Sequence, residues 1–279
     1  MPKIAIVTDS TSDLPKEIAK KYNITIVPLN VHFGDETLLD GIDINSNQFF
    51  HKLVESEHHP QTSQPSVGTF LKTYETLLKN YDSILSIHIS SKLSATYNSA
   101  LQASNELSST NKNITVLDSL TGTVALGAIV TKIAKMNTEN VSMEDLIKES
   151  NSLFIKNEFF GFVPTLEYLA KGGRIGKARA FMGSLLKIKP MLSCVDGLID
   201  SVGKVRTLEK GMEFLIEKMN DHKVESLFIV HANSEDRAKI LFDKAKESID
   251  PAKIEIAEFG PVVGTHVGPG AFGIGFIIE

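Results

Sequence analysis

The chain has 279 residues, 42% hydrophobic and 23% charged, with a net charge of -5. This balance excludes intrinsic disorder and a coiled coil, and argues against nucleic acid as a partner. The single cysteine, Cys194, excludes an intramolecular disulfide and any cysteine-built metal or redox motif.

The N-terminal apolar run is too short for a secretory signal, and no run approaches the ~20 residues of a membrane span. A cytoplasmic protein without a transmembrane segment is expected. Residues 4–8 read as a strand that ends in the polar Asp9-Ser10-Thr11-Ser12-Asp13. Pro15 suits a first helical turn, with Asp13 as its cap. Residues 24–29 are β-branched and apolar, a strand followed by a turn at Gly34-Asp35. Ser46 caps a helix through Glu55, and residues 83–89 and 114–117 are further strands. Residues 96–107 and 123–135 read as helices. This alternation predicts an α/β fold whose N-terminal part is a mostly parallel sheet flanked by helices.

Ser142 opens a helix to about Lys156 that leads into a second domain, giving predicted domains 1–155 and 156–279. The second half reads differently. Residues 189–195 and 198–202 flank a hairpin turn at Asp196-Gly197. Strands over 226–232 and 253–259 flank a helix over 235–248, and 272–278 is a terminal strand. A mixed or antiparallel sheet with helices is expected there.

Three hydroxyl-rich loops follow strands: Asp9 to Asp13, Thr62-Ser63-Gln64-Pro65-Ser66, and Ser90-Ser91-Lys92-Leu93-Ser94-Ala95-Thr96. Ligands of open α/β sheets bind at the carboxyl ends of strands, where hydroxyls and helix-start amides form a neutral anion receptor. For any one such loop, helix capping alone is the simpler reading. Pro65 holds Gln64 extended, so Thr62 is presented from a stiff loop ahead of a helix capped by Ser66. In Gly264-Thr265-His266-Val267-Gly268-Pro269-Gly270, glycines on both sides place His266 where a backbone passes close to a ligand. Gly268 to Gly273 matches G-x-G-x-x-G in form only. A dinucleotide site needs a following helix and an acid ~20 residues on, and only six residues remain.

Lys171-Gly172-Gly173-Arg174 follows a helix signal; one glycine ends that helix in the left-handed region, and Arg174 reads either as a surface arginine or as one that binds phosphate bidentately. Arg206 is a weaker candidate of the same kind. His51, His58 and His59 are expected at the surface, and Cys194 in the core. No P-loop, H-E-x-x-H or G-x-S-x-G motif is present. These residues hold an anion and offer no evident means of transforming it.

Five segments in one order, Val7 to Asp13, Thr62 to Ser66, Ser90 to Ala100, Lys171 to Ile175 and His266 to Gly270, resemble the DegV family of fatty-acid-binding proteins, also called FakB. The resemblance implies a two-domain α/β protein with one long-chain fatty acid between the domains. It implies a carboxylate held by Thr62, Ser94 and His266, with Ser63, Ala95 and Gly268 supporting in the loops. Arg174 and Arg206 match arginines at the carboxyl end or the partner surface. It further implies no catalysis and no cofactor in this chain. It implies, too, that a separate ATP-binding kinase subunit related to dihydroxyacetone kinases phosphorylates the bound acid for phospholipid synthesis. Ala95 stands where the family usually has glycine. Two other readings stay open: a hydrolase using Ser94 or Thr62 with His266, and a lipid carrier or sensor with no kinase partner.

Overall fold

The computed structural model describes residues 3–108, 113–182 and 188–279; Met1 and Pro2 of the N-terminal run lie outside them. In chain order the elements are β1 (Ile4–Asp9), α1 (Lys16–Lys21), β2 (Ile24–Val27), β3 (Asn30–Phe33), β4 (Glu36–Leu39), α2 (Ser46–Glu55), β5 (Gln61–Ser63), α3 (Val67–Leu77), β6 (Ser83–His88), α4 (Thr96–Ser108), β7 (Asn113–Asp118), α5 (Thr123–Asn137), α6 (Met143–Lys156), β8 (Asn157–Phe162), α7 (Glu167–Lys171), β9 (Lys189–Val195), β10 (Leu198–Val205), α8 (Leu208–Asn220), β11 (Val224–His231), α9 (Glu235–Ala245), β12 (Ile254–Glu258), α10 (Pro261–Val267) and β13 (Phe272–Ile278). Short 3-10 turns span Ser10–Ser12, Gly176–Phe181 and Pro251–Lys253.

The strands form three sheets. The first is parallel throughout, in the order β2-β1-β6-β7. Helices cover both its faces, so β1 and β6 are buried at every residue and read as continuous apolar runs rather than alternating ones. The second has six strands in the order β10-β9-β8-β13-β11-β12, antiparallel except for the β11–β12 pair. This is the mixed sheet expected for the second half. A small antiparallel sheet, β4-β3-β5, was not anticipated because its strands have only three or four residues.

Between the first two sheets runs α5. It packs on β1 from one side and on β8, β11 and β13 from the other. Ten of its fifteen residues are buried, which is why its sequence is apolar almost all round. The largest hydrophobic cluster accordingly joins Ile4 and Leu85 of the first sheet to Phe228 and Val230 of the second. Lys156 ends α6 and Asn157 begins β8 with no residue between them.

Several local expectations need correction. The cap of α2 is Asn45, in a reciprocal capping box with Gln48, and Ser46 is the first helical residue. Asp13 does not cap α1; it is left-handed (φ 49) and buried, and Pro15 occupies the cap position. Ser142 and Ser66 cap α6 and α3 as read from the sequence. The Asp196-Gly197 turn has positive φ at both residues (49 and 79), as a two-residue primed hairpin requires.

Under the first sheet lies a fully buried polar chain. The Tyr74 hydroxyl donates to Ser86 Oγ (2.9 Å), and Ser86 Oγ meets His88 Nε2 at 2.7 Å. His88 Nδ1 lies 2.9 Å from Asp9 Oδ2, which also accepts the Ile89 N–H at 3.0 Å. Asp9 Oδ1 accepts the Thr11 N–H (3.0 Å) and hydroxyl, fixing the turn after β1. Burying a carboxylate is tolerable here because both of its oxygens have donors. The order acid–histidine–serine resembles a nucleophile relay. With Ser86 and His88 both 0% exposed and Tyr74 capping the serine, no substrate reaches it.

Candidate functional site: a two-sheet cavity

A cavity opens where the carboxyl ends of the first sheet face the second. Its apolar walls include Leu29, Ile89, Leu93, Phe159, Ile199 and Phe259, and its polar walls include Thr11, Thr62, Ser94, Thr123, Arg174 and His266. The apolar walls come from both sheets, and three different chain segments supply Thr62, Ser94 and His266.

Thr62 is not in a loop: it sits on β5, paired with Val31 of β3, so the strand fixes its direction. His266 is also not in a loop, being the penultimate residue of α10. α10 packs on α2, α7, β3 and β5, which brings His266 Nε2 to 3.0 Å from Thr62 Oγ1 across 204 positions of sequence. The other ring nitrogen, Nδ1, is buried without a hydrogen-bond partner. It faces Gly172: a Cβ there would fall 2.0 Å from Nδ1. Burial, with smaller contributions from Arg174 and His59, pushes the His266 pKa down to about 3, so the ring is neutral at physiological pH.

Gly172 and Gly173 do different work. Gly172 has an ordinary φ of -78 and is needed for space. Gly173 has φ +71 with open space around it, and closes α7 with an Arg174 N–H to Leu169 O bond of 3.0 Å. Arg174 then turns back. Its Nε donates to Leu93 O (3.2 Å) and its Nη1 to Gly172 O (2.7 Å), so two backbone carbonyls hold the guanidinium at the cavity wall. It is the positive charge of the site.

Ser94 lies in the turn before α4. Its Oγ is 2.8 Å from Thr96 Oγ1 and accepts the Thr96 N–H at 3.3 Å. Helix-start hydrogen bonding and a place on the cavity wall therefore coexist in one residue. Ser63 also lines the cavity, but its hydroxyl is bonded to His32 Nε2 (2.8 Å) and Asn30 Nδ2 (3.1 Å), bracing the small sheet. Ala95 is exposed and forms no part of the wall, so the methyl that replaces the expected glycine does not crowd the cavity. Gly268 lies just behind the site with φ +73, and Tyr168 fills the space a side chain would need.

Arg206 is elsewhere, exposed on a separate cleft beside Phe181 and Met182. His59, expected at the surface, is half-buried against Tyr168, with its Nε2 sealed from solvent. Cys194 is half-buried and lines the cavity instead of filling the core. Burial raises its thiol pKa to about 11, so it stays protonated and inert. Three contributions had no signal in the sequence. Thr123 forms part of the wall, Gly172 makes room for the histidine, and Asp13 holds Thr123 through a 2.6 Å hydrogen bond.

Chemically, the cavity offers hydroxyls, a neutral imidazole and a held guanidinium beside an apolar space. That combination suits an amphiphile with a small anionic head. Among the described residues no group of three or more histidines, cysteines or acids is placed to hold a metal, and no helix is long and apolar enough to cross a membrane.

Known proteins are similar to this chain along its whole length. A DegV domain-containing protein of Halalkalibacterium halodurans is 37% identical, with full coverage of both chains. A DegV-family protein from Thermus thermophilus, described for its fatty acid binding, superposes with a TM-score of 0.92 at 31% identity, each chain fully covered. DegV of Bacillus subtilis, described as a fatty acid binding protein, gives 0.89 at 33% identity, again over both whole chains. The model of the DegV family, described as uncharacterised, matches residues 3–279, and with these relatives it shows that the chain belongs to the DegV family.

Proposed function

We propose that the protein binds a long-chain fatty acid in the two-sheet cavity and presents its carboxyl group to a separate ATP-dependent kinase subunit. The observation that carries this reading is the Thr62–His266 pair at a cavity whose remaining walls are mostly apolar. The family's fatty-acid-binding relatives support it.

The energetics agree. An acyl chain of ~15 methylenes gains about 12 kcal/mol on leaving water, at about 0.8 per methylene. Association and ordering take back several kcal/mol, leaving enough for retention through purification. The carboxylate is the costly end, since burying it without donors is prohibitive. Thr62, Ser94 and neutral His266 supply donors, and Arg174 supplies charge. In the kinase complex a carboxylate oxygen attacks the γ-phosphorus of ATP. The new O–P bond forms as the β–γ bridging bond breaks and ADP leaves. This chain contributes position and exclusion of water.

A hydrolase finds less support. Catalysis by His266 as a base calls for an acid on Nδ1, and that atom faces Gly172 with no partner.

Denaturing mass spectrometry of lipid extracted from the purified protein tests the reading. A fatty acid near one-to-one stoichiometry is expected, and a protein that neither carries nor takes up any fatty acid overturns it. The same measurement reports on Phe159, which lies against Gly161 and Gly273 and lines the cavity. Phe159→Ala lengthens the space, so the bound acids shift to longer chains. Each extra buried methylene is worth about four-fold in affinity.

A further inference from the structure

The start of α10 rests on two acids that the carboxylate site does not use. Asp13 and Asp40 are 7% and 4% exposed. Asp13 Oδ1 accepts the Gly260 N–H at 2.8 Å, and Asp13 Oδ2 bonds the Thr123 hydroxyl. Asp40 comes from the segment after β4, where its N–H donates to Leu29 O (3.0 Å). Both carboxylates converge on Gly260: a Cβ there would lie 3.1 Å from Asp13 Oδ1 and 3.1 Å from Asp40 Oδ1. Asp40 Oδ2 is buried with no hydrogen-bond partner. Two carboxylates this close, with one oxygen lacking a donor, cannot both be ionised cheaply.

We infer that Asp13 and Asp40 are not both ionised in the folded protein and act as positioning residues for His266: a second negative charge there loosens the seat of α10 and weakens the grip on the ligand's carboxyl group. The inference rests on the fatty-acid reading above. It is carried by the pair's contacts with two residues of the cavity wall. Asp13 holds Thr123, Val262 amide faces Asp40, and both Thr123 and Val262 line the cavity. Four residues beyond Val262 on the same helix is His266.

The charged neighbours are Asp9, itself paired with His88, and Lys16 and Glu258 on the outer cleft shared with the two acids. Desolvation is the main cause that raises both pKa values. Asp13 lies well above the usual range and Asp40 rises to about 7, with the Ser10 hydroxyl and Val262 amide partly offsetting the rise for Asp40. The sign follows. A carboxyl group whose folded pKa is raised contributes stability that is full below its unfolded value and lost as pH climbs through the folded one. For Asp40 that window runs from about 4 to about 7. Ligand affinity coupled to the same proton falls across pH 6 to 8.

The test is binding of cis-parinaric acid, at submicromolar concentration, to the full chain from pH 6 to pH 8. Wild-type affinity is expected to fall by up to about ten-fold, the linkage limit for one group titrating near pH 7. Asp40→Asn is expected to bind as wild type does at pH 6 and to keep that affinity at pH 8. Asp13→Asn, which removes the other acid, is expected to flatten the profile too. A wild-type affinity that does not change with pH overturns the inference. So does an Asp40→Asn profile that still falls. Absence of binding at any pH overturns the fatty-acid reading itself, and the inference with it.

Discussion

His266→Ala is expected to fold with an unchanged melting temperature, within a few degrees, and to bind long-chain fatty acid about 30- to 150-fold more weakly. The size follows from the chemistry of the head group. A hydrogen bond to a buried charged group is worth about 2–3 kcal/mol, and its loss leaves the carboxylate short of a donor. The fold is spared because the ring lines the cavity and its Nδ1 already lacks a partner. Thr62→Val is the companion variant. It keeps a β-branched side chain on β5 and the Val31 pairing, and removes only the hydroxyl that faces His266 Nε2. Titration with a fluorescent fatty acid, alongside thermal melting, checks both. Wild-type affinity in both variants would place the head group elsewhere.

Gly172→Ala is expected to weaken binding at least ten-fold, although alanine suits the backbone at that position. The added Cβ would lie 2.0 Å from His266 Nδ1 and 2.6 Å from its Cε1. The ring must swing away, and the 3.0 Å approach to Thr62 is lost with it. Gly173→Ala, one residue on, has the opposite character. Nothing lies within 4 Å of the added atom, but φ is +71, so the cost is about 1 kcal/mol of stability with affinity preserved. Melting and binding measured on the two variants separate space from backbone strain. Equal effects on both quantities in both variants would contradict the assignment.

Strands whose apolar runs are bounded by polar turns were legible in the sequence. β9 and β13 match their expected limits residue for residue, and the Asp196-Gly197 turn between β9 and β10 is where its dipeptide indicates. β8 was not legible, because it follows α6 without a turn residue to mark the change. α10 was hidden because Gly264 and the Gly268-Pro269-Gly270 run read as loop, while tertiary packing on α2 and α7 keeps the segment helical. Hydroxyl-rich stretches after strands drew attention to Thr62 and Ser94, which share the cavity wall with His266 and Arg174. Arg206 offered the same residue type near a hairpin and lies on another surface. The roles of Gly172, Asp13 and Asp40 arise only from contacts between distant segments, which no local pattern records.

The placement of α5 bears on how the molecule comes apart. Its residues are buried by a strand of the first sheet on one side and by three strands of the second on the other. Cutting the chain at the α6–β8 junction would therefore strip one flank of this helix and leave a greasy stripe in water. The two halves of the chain are therefore expected to melt together, in a single calorimetric transition.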